Sequence, residues 1–176
     1  MIKGMLGRAG SPKNVCDIYN LIVQQARNPK FYQDLLVPDT IDGRFEMISL
    51  HVFLVLRRLR RSSRGASELS QALFDYMFQD MDLSLREMGA GDMGVGKRVK
   101  AMIQGFYGRV ASYEGGLADG KKTLEAALMR NVYGTVNISS VPVQRLAEYV
   151  LKQDEQLGAV ELVDVESARF DFGAVP

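Results

Sequence analysis

Phe45-Glu-Met-Ile-Ser-Leu-His-Val-Phe-Leu-Val-Leu-Arg-Arg-Leu-Arg-Arg61 is the stretch that decides the fold. Phe45, Ile48, Val52, Val55, Leu56 and Leu59 fall on the 3.6-residue period of an α-helix. Leu50 and His51 lie off that stripe, so most of the helix circumference is apolar. A helix of this kind must be wrapped by others, which places it at the centre of a core. Its most apolar run, Ile48 to Leu56, is nine residues long. A membrane span needs about 20 apolar residues, so this run reads as core rather than as a bilayer crossing. Asp42 is the expected N-cap. Arg57, Arg58, Arg60 and Arg61 crowd the last turns, where the helix dipole favours cations.

Helical spacing continues on both sides. Upstream, Val15, Ile18, Tyr19, Ile22 and Val23 mark a helix that Asn28-Pro29 ends, and Phe31 to Leu36 forms a short helical turn. Downstream, Leu69, Leu73, Phe74, Met77, Phe78, Met81, Leu85 and Met88 form one stripe over Ser67 to Met88. Asp82 and Arg86 stand four apart on its opposite face, in the favourable acid-first order. Gly89 to Gly96 reads as a loop, with Met93 and Val95 interleaved. A helix follows from Lys97 through Val99, Met102, Ile103, Phe106, Tyr107 and Val110, and Gly115-Gly116 is expected to interrupt it. Lys121 to Tyr133 is a further helix, Gly134 to Ser140 a loop, and Pro142 opens a last long helix. After Gly158 the apolar residues fit helix or strand, and Phe170 and Phe172 alternate as a strand does. The expected architecture is an all-α bundle of about six to seven helices in one domain spanning residues 1–176. Its core covers about residues 15–158, and a tail at 159–176 includes a short extended segment in one of the two readings.

Composition narrows the function classes. Apolar residues make up 47% of the 176 and charged residues 24%, which suits a folded and soluble chain. The net charge of +1 removes any global argument for nucleic acid, and DNA is not an expected partner. One cysteine, Cys16, and one histidine, His51, leave no disulfide framework and no Cys/His zinc set. Met1 to Pro12 has no apolar core of a secretory signal, so a cytoplasmic location is expected. A matrix location follows instead if a transit peptide has been removed.

Four features invite a chemical reading. Gly91 to Lys97 gives Gly-x4-Gly-Lys, but Arg98 stands where a phosphate loop needs its Ser or Thr, and a helix rather than a strand precedes it. A helix connection built on glycines is the better reading. Asp80 and Asp82 are two apart on a helix, so they point to different sides and read as a solvated face rather than as a metal pair. His51, in an apolar stretch, reads as a satisfied core or groove histidine, and Cys16 as a small buried hydrophobe. Arg57, Arg58, Arg60, Arg61 and Arg64 are five arginines in eight residues. They serve either the helix dipole and ion pairs with Asp75, Asp80 or Asp82, or a contact with an anionic membrane, ribosomal RNA or an acidic protein. Methionines from Met77 to Met102 suit core filling or an adaptable apolar surface. No nucleophile–base pair or metal set assembles, so no enzyme activity and no cofactor are expected.

The run Phe74-Asp-Tyr-Met-Phe-Gln-Asp-Met-Asp-Leu-Ser-Leu-Arg-Glu-Met-Gly89 resembles the signature of the ubiquinol–cytochrome c chaperone family. So do Gly91-Asp-Met-Gly-Val-Gly-Lys-Arg-Val-Lys100, Phe106-Tyr-Gly-Arg109, Asp42-Gly-Arg-Phe-Glu-Met-Ile48 and His51-Val-Phe-Leu-Val-Leu-Arg-Arg-Leu59. The resemblance runs from about Tyr19 to Tyr133. It implies an all-helical chaperone of cytochrome bc1 assembly whose client is cytochrome b or another component of that complex. Mitochondrial relatives act with a small partner protein and at the ribosome. The sequence is more like the bacterial members. A peripheral position at the inner membrane fits the same reading. The expected client surface is the helix pair Phe45–Arg61 and Leu73–Met88 with the loop Gly89–Arg98. Its expected contact residues are Arg57, Arg58, Arg60, Arg61, Arg64, Asp80, Asp82, Met93, Lys97 and Arg98. Two other readings stay open: a helical lipid- or quinone-binding protein, and a ribosome- or RNA-binding module using the arginines.

Overall fold

The computed structural model describes residues 13–61, 66–89 and 91–176. The helices are α1 (Lys13–Ala26), α2 (Pro29–Gln33), α3 (Ile41–Arg60), α4 (Ala66–Glu87), α5 (Asp92–Asp119), α6 (Lys121–Asn131), α7 (Ser140–Ala159) and α8 (Leu162–Glu166). Six of them are long, and α2 and α8 are five-residue turns. Among the described residues there is no strand, so the all-α expectation holds.

Helix α3 is the axis of the bundle. It packs against α1, α4, α5, α7 and α8. Fourteen of its 20 residues are buried, including His51 and Glu46. The cap differs from expectation. Thr40, not Asp42, accepts the Gly43 N–H through its side chain at 3.1 Å, and Asp42 sits in the first turn, where a carboxylate still favours the dipole. Gly43 is required by packing. A Cβ there would stand 1.9 Å from the Pro38 carbonyl oxygen.

Helix α5 departs most from the sequence reading. It is one 28-residue helix that includes the glycine-rich segment from Asp92 onward and continues through Gly115-Gly116. At its start the Gly91 carbonyl accepts the N–H groups of Gly94 and Val95, and the fully buried Val95 side chain pins this first turn to the core. Gly116 is a site of close approach rather than a break. A Cβ there would lie 2.8 Å from Leu124 Cα, so its bare backbone lets α6 fold back against α5. The chain turns four residues later, at Gly120 with φ +103°.

Three helices run parallel to one another. Arg98 meets Asp42 and Phe53 meets Tyr113, so α5 ascends beside α3. His51 meets Tyr149 and Arg57 meets Asp154, so α7 ascends beside α3 on another side. The N-termini of α3, α5 and α7 therefore share one end of the bundle. The tail after α8 is extended without a strand partner. Phe170 and Val175 are buried, and Gly173 is tied to α7 and α1 by bonds to Gln153 and Gln25.

Candidate functional site

The arginines at the end of α3 are held within the molecule. Arg57 pairs with Glu114 of α5, and its Nε donates to Asp154 of α7 at 2.9 Å. Arg61 reaches the same Asp154 at 2.9 Å, and Arg60 lies 3.8 Å from Glu114. Arg58 donates twice, at 3.1 and 2.7 Å, to the Val160 carbonyl that closes α7. The ion pairing expected with Asp75, Asp80 or Asp82 is corrected, because this end of α3 faces α5 and α7. Arg57 and Asp154 are both about four-fifths buried, at 21% and 18% side-chain exposure, and Arg57, with Asp154 on α7 and Glu114 on α5, clamps three helices together. Arg60 and Arg61 keep 52% and 42% exposure. Arg64 lies outside the described residues.

The remaining expected residues are dispersed. Asp80 accepts the Tyr19 hydroxyl at 2.9 Å and ties α4 to α1. Burial, with Asp80 adding to it, raises the Tyr19 pKa far above the ordinary phenol range, so this hydroxyl stays a donor. Asp82 pairs with Arg86 at 2.5 Å, as the four-residue spacing suggested. Met93 belongs by its backbone to the first turn of α5, not to a loop, and its side chain lies outside the description. Lys97 is exposed, and Arg98 reaches Asp42 at 3.1 Å. The structure brings Arg57, Arg58, Arg60 and Arg61 together, whereas Asp80, Asp82, Lys97 and Arg98 face other neighbours.

His51 is fully buried and has a partner at each ring nitrogen. The Met47 carbonyl, 2.7 Å from Nδ1, can only accept, so Nδ1 carries the proton. Nε2 then accepts the Tyr149 hydroxyl at 2.8 Å, and Gln25 Nε2 donates to that same oxygen at 2.9 Å. Burial pulls the His51 pKa from 6.5 down to about 4, which keeps the ring neutral. Cys16 is exposed rather than buried, and the Tyr76 hydroxyl donates to its sulfur at 3.3 Å. Among the described residues no group of His, Cys, Asp and Glu could hold a metal ion.

The comparisons place this architecture. The profile described as ubiquinol-cytochrome C chaperone matches residues 33–172. The chain belongs to the ubiquinol–cytochrome c chaperone family. It is 38% identical to a solved structure, the Cbp3 homolog from Brucella abortus, with a TM-score of 0.82 over 92% of this chain and 89% of that one. It is 24% identical over 148 residues to ubiquinol-cytochrome-c reductase complex assembly factor 1 of Xenopus laevis, covering 84% of this chain and 74% of that protein. It is 27% identical over 146 residues to mitochondrial protein CBP3 of Saccharomyces cerevisiae, covering 81% of this chain and 44% of the yeast protein. The chain thus spans less than half of its yeast relative.

Within this chaperone fold, sequence reasoning missed the pair of Glu46 with Arg109. Both oxygens of the nearly buried Glu46 accept from the Arg109 guanidinium, which also lies 5.4 Å over the Phe45 ring. Burial raises the Glu46 pKa, and Arg109 opposes that rise. Gly105 makes room for the arginine, since a Cβ there would stand 2.5 Å from the guanidinium. One signal was available: Glu46 is the only acid in the apolar stretch Phe45 to Arg61, and such a residue needs a cation. The second surface feature is the seam between α4 and α5. Tyr107 is 60% exposed, and its ring lies 5.5 Å from that of half-buried Phe74. Tyr107 and Glu114 are seven apart on α5, so this aromatic spot and the Arg57–Arg60 cluster occupy one stripe.

Proposed function

We propose that this chain is an assembly chaperone of the cytochrome bc1 complex and that it holds cytochrome b while the complex is put together. Family membership over residues 33–172 carries the reading, and the Xenopus laevis relative, a reductase complex assembly factor by name, supports it. The chaperone acts by binding, without catalysis. The full use of both His51 nitrogens inside the core supports this, because no free imidazole edge is left to a substrate.

The client contact is proposed along the α4–α5 seam, from Phe74 and Tyr107 to Arg60 and Arg61 beside it. Helix α3 itself is too deeply buried to offer a face. An exposed tyrosine next to partly free arginines suits a client with apolar helices and polar ends. Arg57 and Arg58 support that surface from behind by fixing α5 and α7. The test is recovery of cytochrome b with the tagged protein from its native cell in mild detergent. Recovery should fall at least tenfold in a Tyr107→Asp, Arg60→Glu double variant that remains folded. Unchanged recovery would remove the seam from the reading, and recovery of a different bc1 subunit by the parent protein would change the client.

A further inference from the structure

The tail beyond α8 lies in a groove between α1–α2 and α7 and is held there as a peptide is held by a receptor. Its carbonyls are gripped at every second residue. Gln156 donates to the Asp171 carbonyl at 3.1 Å, Gln25 to that of Gly173 at 3.0 Å and Lys30 to that of Val175 at 3.2 Å. The Gly173 N–H donates to Gln153 Oε1 at 2.8 Å. All four contacts read main chain, which every extended segment carries. Side chains enter the groove at three places. Phe170 and Val175 are buried, and Phe172 stands 5.6 Å from Phe170 and 5.1 Å from His51, ring to ring. Position 173 favours glycine, because a Cβ there would lie 2.7 Å from Gln153 Nε2 and 2.8 Å from Gln156 Oε1. In such a mode the main-chain bonds give affinity and the side-chain pockets give specificity.

The tail leaves the groove incompletely satisfied. Gln153 is fully buried, and its Nε2 finds no hydrogen-bond partner among the described residues. A buried donor left unpaired is a cost that an occupant with an acceptor in reach removes. A hollow of about 290 Å³ remains between the tail and α1, lined by Leu21, Gln24, Asn28 and Phe170 among others. The turn that delivers the tail is strained as well, since Ala168 adopts φ +54°, where a Cβ is unfavourable. The tail is therefore a resident that a better-fitting chain can displace.

We propose that this groove receives an extended segment of an incompletely folded partner protein, with an aromatic–x–aromatic–glycine pattern, in exchange for the tail. A second copy's tail would leave Gln153 Nε2 unpaired in the same way, so the unpaired donor favours a chain of another sequence. The tail then acts as a tethered competitor that closes the groove between partners. The site shares no residue with the α4–α5 seam, and the proposal stands whether or not cytochrome b is the client.

The test is fluorescence anisotropy of a labelled peptide with the sequence of residues 169–176, titrated with the full chain. Phe172→Asp in the protein frees the groove without altering its walls. It should tighten peptide binding by about tenfold or more, the gain expected when a tethered competitor is removed. The same peptide carrying Gly173→Val should bind that variant about tenfold more weakly, through overpacking against Gln153. No binding by a folded Phe172→Asp protein, equal binding by parent and variant, or equal binding of the two peptides would overturn the proposal. So would a parent that sediments as a dimer and becomes monomeric with Phe172→Asp, because the groove would then belong to a second copy. Hydrogen exchange on the parent covers a variant that fails to fold. Excess peptide should speed exchange of the Gly173 amide and leave α3 protected, and an unchanged Gly173 amide would overturn the proposal.

Discussion

Lowering the pH from 7.5 toward 4.5 should destabilise this protein through one side chain. His51 is the only histidine in the chain, so no other imidazole contributes. In the unfolded chain its pKa is 6.5, and in the core burial holds it at about 4. Below pH 6.5 the unfolded state takes up a proton that the folded state refuses. Stability is therefore complete above pH 6.5 and is lost as pH falls toward 4. One proton corresponds to about 1.4 kcal/mol per pH unit, so the shift amounts to about 3 kcal/mol across this window. No acid relieves the ring, because its neighbours are the Met47 carbonyl, Tyr149, Phe31 and Phe172. Glu46 acts in the opposite direction, since burial raises its pKa and folding then gains from protonation. Urea unfolding of the parent and of His51→Gln at a series of pH values separates the two. The variant keeps the Glu46 contribution and loses the histidine slope. Equal slopes between pH 6.5 and 5 in both proteins would refute the assignment of the pH dependence to His51.

Other perturbations test the packing. Gly116→Ala drives a methyl into Leu124 and should cost about 1–2 kcal/mol in thermal or urea unfolding, whereas Gly108→Ala, with nothing within 4 Å, should stabilise α5 by up to about 1 kcal/mol. Arg57→Met leaves the largely buried Glu114 and Asp154 to two more exposed cations, Arg60 and Arg61, and should lower stability by about 2 kcal/mol, with high salt narrowing the difference little because the pair is shielded. Truncation after Arg169 uncovers the pocket of Phe170 and Val175 and should lose about 3 kcal/mol, read as a lower urea midpoint.

The apolar periodicity of Phe45 to Leu59 was enough to place α3 at the centre, because a helix with few polar positions has no other stable location. The helix pairings around it were not legible, since they depend on long-range contacts such as Arg57 with Glu114 and Asp154. The arginine cluster was visible as charge but not as a clamp. Its partners lie 57 and 97 residues away. The glycine-rich stretch misled because glycine lowers helix propensity by about 1 kcal/mol, and tertiary packing of Val95 and Gly116 overrides that preference. Asp82 with Arg86 was legible because its geometry is local. The groove that takes the tail was hidden for the opposite reason. Its walls lie far apart in sequence, joined by Gln25 and Tyr149 at a separation of 124.

The extended tail carries a consequence for how the protein is made. Lys30 donates to the Val175 carbonyl across 145 residues, and Phe172 covers His51 at 5.1 Å. At about 5–20 residues per second of translation, α1 to α3 emerge roughly 6 to 23 s before the segment that seals their outer side. During that interval the His51 flank of the nascent chain is wet and available to holdase chaperones. Synonymous codon changes that slow synthesis between residues 60 and 170 should lengthen that window and raise the fraction of newborn chains that aggregate.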